Sequence, residues 1–269
     1  MSCSNSIKSN QPLQLAPTKS LTSDNLSHLL IGEFSLQRGD SVTATQRLLA
    51  VAQSTQDVDT AKRATYLAQF SQNPDLLQQT SLLWSQLSPQ DPRPWQYMAQ
   101  SASLMGEFNK ATLALEQELK RGGGEGLPYI ASLSINDTVA TQVNLQNTLR
   151  SWLDTYPNQK QLLLALALLA QHSKQLDTAI IYTGKALAQD THYLQAQVVY
   201  GELLLASQQA EAADTYLSQF TQPLKKAPRH LITLHAQVLT LLAKYEQAYE
   251  YFNELATRYP EDPGYSYSA

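Results

Sequence analysis

Cysteine is almost absent from this chain. Cys3 is the only one in 269 residues, so no internal disulfide can form and no Cys-rich metal spacing exists. Charge is sparse as well: Asp, Glu, Lys and Arg make up 16% of residues, and 23 acidic against 19 basic groups leave a formal charge of −4. Such a balance supplies no broad positive field, which disfavours nucleic acid phosphates and anionic lipid as partners. Long apolar runs are missing too. A bilayer span needs roughly 18 apolar residues, and the stretch Leu162 to Ala170 falls well short of that. The chain also lacks the signatures Gly-x-Ser-x-Gly and His-Glu-x-x-His. His230 and His235 are spaced to face different sides of a helix, and His172 and His192 stand apart, so no three or four ligands converge. An enzyme is not implied, and neither is a metal or any cofactor.

What the chain does have is a period. Ala44, Leu77, Ala111, Leu145, Ala179, Ala213 and Ala248 follow one another at steps of 33, 34, 34, 34, 34 and 35 residues. A period near 34 indicates stacked helical hairpins. Twelve residues before each of these stand Gly32, Thr65, Ala99, Leu133, Ala167, Gly201 and Ala236, mostly small. Twelve after stand Gln56, Pro89, Gly123, Pro157, Thr191, Lys225 and Pro260, where helix breakers separate one hairpin from the next. Small residues fit where two antiparallel helices cross closely, and Leu and aromatics fill the wider gaps.

This grammar predicts an all-α chain of about seven hairpins. Residues 1–20, rich in Ser and Asn, read as a flexible tether. Order begins at Thr22-Ser23-Asp24, an N-cap ahead of the apolar series Leu26, Leu29, Leu30 and Phe34. Repeats 1–3 occupy 21–121, a Gly-rich break 122–126, repeats 4–7 residues 127–260, and the start of an eighth 261–269. The break, Gly122-Gly123-Gly124-Glu125-Gly126, is the expected hinge or kink. It precedes a short helix over 127–135 and an Asn136-Asp137 cap. It is not a phosphate loop, since no Gly-Lys-Ser/Thr follows. With no polar capping helix at the end, the array is expected to be truncated or covered by a partner. Lys225, Lys226, Arg229 and His230 read as a solvated turn.

The pattern of bulky aromatic, small residue, Leu or aromatic, Ala, Phe or Leu, Ala and Pro resembles the tetratricopeptide repeat, most fully at Trp95 to Glu118 and Tyr245 to Pro260. The resemblance implies a right-handed superhelical solenoid. Leu77 and Leu145 depart from the expected Ala. A narrower likeness lies in Gly32-Glu33-Phe34-Ser35-Leu36-Gln37-Arg38-Gly39-Asp40 with Ala61-Lys62-Arg63-Ala64-Thr65, and in the Gly-rich break with its short-helix repeat. These segments are similar to repeat-bearing outer-membrane lipoproteins of Gram-negative bacteria. That likeness implies an adaptor that binds a periplasmic carboxy-terminal processing protease and presents cell-wall hydrolases to it. Cys3 would then carry the lipid and be the only membrane attachment, on the periplasmic face of the outer membrane. The alternative is a reduced thiol in a flexible cytosolic N-terminus of a soluble scaffold for an unrelated protein.

In such an array the first helix of each hairpin lines the concave side. By register the protein-binding groove comprises Arg93, Gln96, Gln100 and Ser103; Ile130 and Ser134; Leu164, Leu168 and Gln171; Gln195, Val198 and Glu202; and His230, Thr233 and Gln237. Few are basic, so a Lys and Asn clamp for a peptide carboxylate is disfavoured. A mixed Gln and aliphatic groove suits a protein partner.

Overall fold

The computed structural model describes residues 22–262 and Gly264; Cys3 and the tether lie outside the described residues. Fourteen α-helices form seven consecutive pairs, with no strand among the described residues. The pairs are α1 (Ser23–Gln37) with α2 (Ser41–Thr55), α3 (Val58–Phe70) with α4 (Pro74–Leu87), and α5 (Arg93–Leu104) with α6 (Phe108–Lys120). Then come α7 (Gly126–Ser134) with α8 (Val139–Trp152), α9 (Lys160–His172) with α10 (Leu176–Gln189), and α11 (Leu194–Ala206) with α12 (Ala210–Thr221). A 3-10 turn at Leu224–Lys226 leads to α13 (Arg229–Leu241) and α14 (Tyr245–Arg258).

The periodic residues occupy equivalent places. All seven from Ala44 to Ala248 are buried, and all lie on the second helix of a pair. Their small counterparts lie on the first helices, and only Leu133 among them is not buried. The need for a small residue is plainest at Gly201 on α11, where an added Cβ would sit 2.8 Å from Leu234 Cδ2 and 3.1 Å from Leu217 Cδ2.

Local chemistry sets the helix ends. Side chains of Thr22, Asp40, Asp57 and Asn73 accept from the backbone N–H three residues on, starting α1 to α4. Helix α8 is capped the same way by Thr138, one residue later than the expected Asn136-Asp137 cap. Asp137 instead accepts from the Thr138 N–H. The turn inside a pair repeats one geometry: Gly39, Gly106, Lys174, Gln208 and Ala243 all adopt a left-handed backbone with φ between 56° and 79°. At each, the residue's own N–H and the next one reach back to the last carbonyls of the first helix, as Ala243 N to Thr240 O and Lys244 N to Leu239 O.

The described chain forms two compact units, one through Pro94 and one from Trp95. In the first, Trp84 is fully buried, with the Tyr66 ring edge-on at 5.7 Å and the Arg93 guanidinium over its face at 5.2 Å. The apolar series of α1 is placed differently from expectation. Leu26, Leu30, Ile31 and Phe34 are exposed, and Asn25 and Gly32 are the residues turned inward. Helix α1 packs chiefly on α2, and its Glu33 reaches α3 through an ion pair with Arg63.

The second unit contains a core of leucines and alanines from α5 to α9, continued through α10 to α14. The Gly-rich segment lies inside this unit and is tied down. Gly122 closes α6 with a left-handed turn, its N–H bonding Leu119 O and that of Gly123 bonding Glu118 O. The Glu118 side chain, almost wholly buried, accepts at Oε1 from Gly124 N (2.9 Å) and Gly126 N (3.1 Å). Its Oε2 has no hydrogen-bond partner. Burial outweighs the two amides and pushes the Glu118 carboxyl up to about 7.

Candidate functional site

Four first helices of the second unit, α7, α9, α11 and α13, share an open cleft. One part, of about 540 Å³, is walled by Glu125, Tyr129 and Ser132 from the α7 region and by Leu194, Gln195, Val198, Glu202 and His230 from α11 and α13. Leu164 and Leu168 of α9 form its floor. A second part, of about 340 Å³, continues past Val198, Glu202 and His230 to Arg229, Thr233 and Gln237. The i, i+4 and i, i+3 spacings along each helix put these residues on one face.

Eight residues expected from the register therefore line the cleft: Leu164, Leu168, Gln195, Val198, Glu202, His230, Thr233 and Gln237. Gln171 joins them at one remove, since its amide hydrogen-bonds the Glu202 carboxylate. Ile130 and Ser134 do not. Both are fully buried, Ile130 in the core and Ser134 donating to Ala131 O. The register on α7 is displaced by one to two residues, each of which rotates a helix by roughly 100°, and Tyr129 and Ser132 take the outward places. The cause is local: Gly126 begins the helix under the grip of Glu118, and the Gly-rich turn shifts α7 relative to the period of its neighbours.

The residues expected on α5 are also drawn elsewhere. Arg93 makes two hydrogen bonds to the Asp91 carboxylate, at 2.9 and 2.6 Å. Gln100 and Ser103 are buried, and Gln96 is half-buried with its Cβ close to Gly126. Gln100 nevertheless supports the cleft, because its amide donates to the Tyr129 hydroxyl at 3.2 Å. Glu125 and Tyr129 escaped the periodic reading, although an exposed aromatic next to Pro128 and a charged residue inside a glycine run were visible signals.

The chemistry of the cleft is apolar below and acidic above. Leu168, Leu194 and Val198 supply the aliphatic surface, with Leu164 buried beneath them. Glu125 accepts from the Gln161 amide at 2.5 Å. Partial burial raises the Glu202 carboxyl above its ordinary range, against the opposing hydrogen bond of Gln171. No lysine lines either part, and Arg229 is bound to Asp262 at 2.5 Å and stacked on the Tyr259 ring.

Among the described residues no group of three or more His, Cys, Asp or Glu is placed to hold a metal ion, and no helix is long and apolar enough to cross a membrane. His235 has a Thr221 and Asp214 on its two ring nitrogens, a sequence reminiscent of a nucleophile, base and acid. Thr221 is fully buried, however, and this chain joins α12 to α13 in the interior.

No protein-family model matches the chain. It is 27% identical over 161 residues to the TPR repeat-containing protein PA4667 of Pseudomonas aeruginosa, a match covering 60% of this chain. The match spans 27% of that relative's length. Solved structures share the architecture. A tetratricopeptide repeat protein from Parabacteroides merdae superposes with a TM-score of 0.50 at 11% identity, covering 88% of this chain and 93% of that one. In the APC/C hetero-tetramer Cut9-Hcn1 a chain gives 0.52 at 15% identity, over 91% of this chain and 45% of that one. PilW, a type IV pilus biogenesis factor, gives 0.50 at 14% identity, over 90% of this chain and 96% of that one. The fold is an all-α helical-repeat solenoid of the tetratricopeptide type.

Proposed function

We propose that this chain is a non-enzymatic protein-binding adaptor whose docking surface is the cleft of α7, α9, α11 and α13. The observation that carries the reading is the convergence of aliphatic and polar side chains from four successive hairpins on one open surface. Core packing does not need Gln195, Glu202, His230 or Gln237, which are exposed. A fold of repeated hairpins offers such surfaces along its length, and the similarity to a TPR repeat-containing protein agrees with a scaffold role.

The finer reading rests on the N-terminal likeness. In it, Cys3 is lipidated, the chain sits at the periplasmic face of the outer membrane, and its partners are a carboxy-terminal processing protease and cell-wall hydrolases. A pull-down from Gram-negative envelope extract tests both levels, comparing the wild type with Leu168→Arg and Val198→Arg. The expected result is capture of a processing protease and hydrolases by the wild type and their loss from both variants. Equal capture by the variants would remove the cleft as the docking surface. Recovery of cytosolic proteins alone would overturn the envelope role, as would an unmodified Cys3 in protein expressed from the native gene in a Gram-negative host.

A further inference from the structure

Resting on that reading of the cleft, we propose that its occupant is a protein segment carrying an aliphatic side chain next to a lysine or arginine. The aliphatic group would seat on Leu168, Leu194 and Val198, and the cationic head would lie against Glu202 and Glu125.

Charge complementarity is the ground for this choice. The cleft holds two carboxylates over a leucine floor, and neither is ion-paired among the described residues. Glu125 and Glu202 are satisfied by neutral amides, from Gln161 and Gln171, which orient the carboxylates without neutralising them. Carboxylates elsewhere in the chain take cations, as Asp190 takes Lys160 at 2.6 Å and Asp214 takes Lys244 at 2.5 Å. Glu202 stands exposed at the edge of the apolar wall, and a ligand that covers it raises the cost of its charge unless it brings a cation. An acidic segment would place like charges together in a half-dry site, and a wholly apolar one would bury two carboxylates uncompensated.

The groups of opposite sign nearby do not cancel this preference. His230 stands on the wall between the two parts of the cleft, and Arg229 is turned to Asp262 and Tyr259. An aliphatic stem running to a charged head suits the arrangement, because lysine and arginine lay their methylenes on apolar surface while the head group stays polar.

The test uses fluorescence anisotropy of the full chain with a labelled, end-blocked heptapeptide, Ser-Leu-Lys-Ala-Leu-Lys-Ser, beside one with both lysines replaced by Glu and one with both leucines replaced by Ser. The expected result is saturable binding of the first peptide alone, at least about tenfold weaker for Glu125→Gln/Glu202→Gln. Glu246→Gln/Glu250→Gln, on α14 and outside this cleft, should bind as the wild type does. Equal binding of the acidic peptide, no effect of the cleft substitutions, an effect of the α14 pair, or no binding of any peptide would each overturn the proposal. The docking reading fails separately, through the capture experiment with Leu168→Arg. If that variant loses partners while Glu125→Gln/Glu202→Gln retains them, the cleft docks proteins of another chemistry.

Discussion

The imidazole of His235 is held on both sides, with Nε2 2.7 Å from Asp214 Oδ1 and Nδ1 2.8 Å from Thr221 Oγ1. Tyr251 OH lies 3.1 Å from the same Thr221 oxygen, and the Gln222 amide donates to Tyr251 OH. With a neutral ring, Nε2–H donates to Asp214 and Nδ1 accepts from Thr221, whose single proton is shared with Leu217 O at 3.0 Å, while Gln222 donates to Tyr251 and Tyr251 to Thr221. Burial lowers the His235 pKa, outweighing the attraction of Asp214. Burial would raise Asp214, but its bonds from His235 and Lys244 hold it below the usual carboxylate range.

A neutral His235 makes stability depend on pH in a definite sense. Its folded pKa is below the ordinary 6.5, so the unfolded chain binds more protons in that window. The contribution is full above pH 6.5 and is lost as pH falls through the folded pKa. Nitrogen NMR at pH 6.5 should show His235 as the neutral Nε2–H tautomer. An imidazolium spectrum there would refute the donor order.

Glu118 acts in the opposite direction. Its carboxyl is raised to about 7, so its contribution is full below about pH 4.5, the ordinary value, and is lost as pH rises through 7. Glu118→Gln keeps an acceptor oxygen for Gly124 and Gly126 and removes the titration. Relative to wild type, the variant should gain up to about 3 kcal/mol between pH 4.5 and 8, at about 1.4 kcal/mol per unit of pKa. Urea denaturation across that range measures it, and parallel curves for the two proteins would exclude a protonated Glu118.

Ala243 carries a side chain in a left-handed corner at φ 56°, a geometry that suits glycine. Ala243→Gly should stabilise by about 0.5 kcal/mol, the relief of the left-handed backbone exceeding the added freedom of the unfolded chain. Gly106→Ala, at φ 75° with nothing near its Cβ, should destabilise by about 1 kcal/mol. Thermal midpoints moving the other way would show that the corners are unstrained.

Ala179 sits fully buried on α10 among Leu163, Leu164 and Ala170. Ala179→Leu should overpack this crossing and cost about 1 to 3 kcal/mol. An unchanged denaturation midpoint would mean that the crossing has room the packing does not show.

Periodicity revealed most of the fold because the hairpin crossing demands small residues, and Ala44, Ala111, Ala179 and Ala213 stand where sterics put them. The same register located Leu168, Val198, Glu202 and His230 on one surface. It misplaced Ile130 and Ser134, since α7 follows a glycine turn and no longer keeps the helical phase of its neighbours. Glu118 was illegible for another reason. A buried carboxylate on the inner face of α6 looks like any helical glutamate until its two amide donors, six and eight residues on, are seen.

The repeated left-handed corners have a further meaning. Glycine, lysine, glutamine and alanine all occupy the same backbone turn in Gly39, Gly106, Lys174, Gln208 and Ala243. The bonds that close each corner involve main-chain atoms alone, so backbone geometry rather than residue identity specifies the turn, and sequences that share few letters can trace the same hairpin.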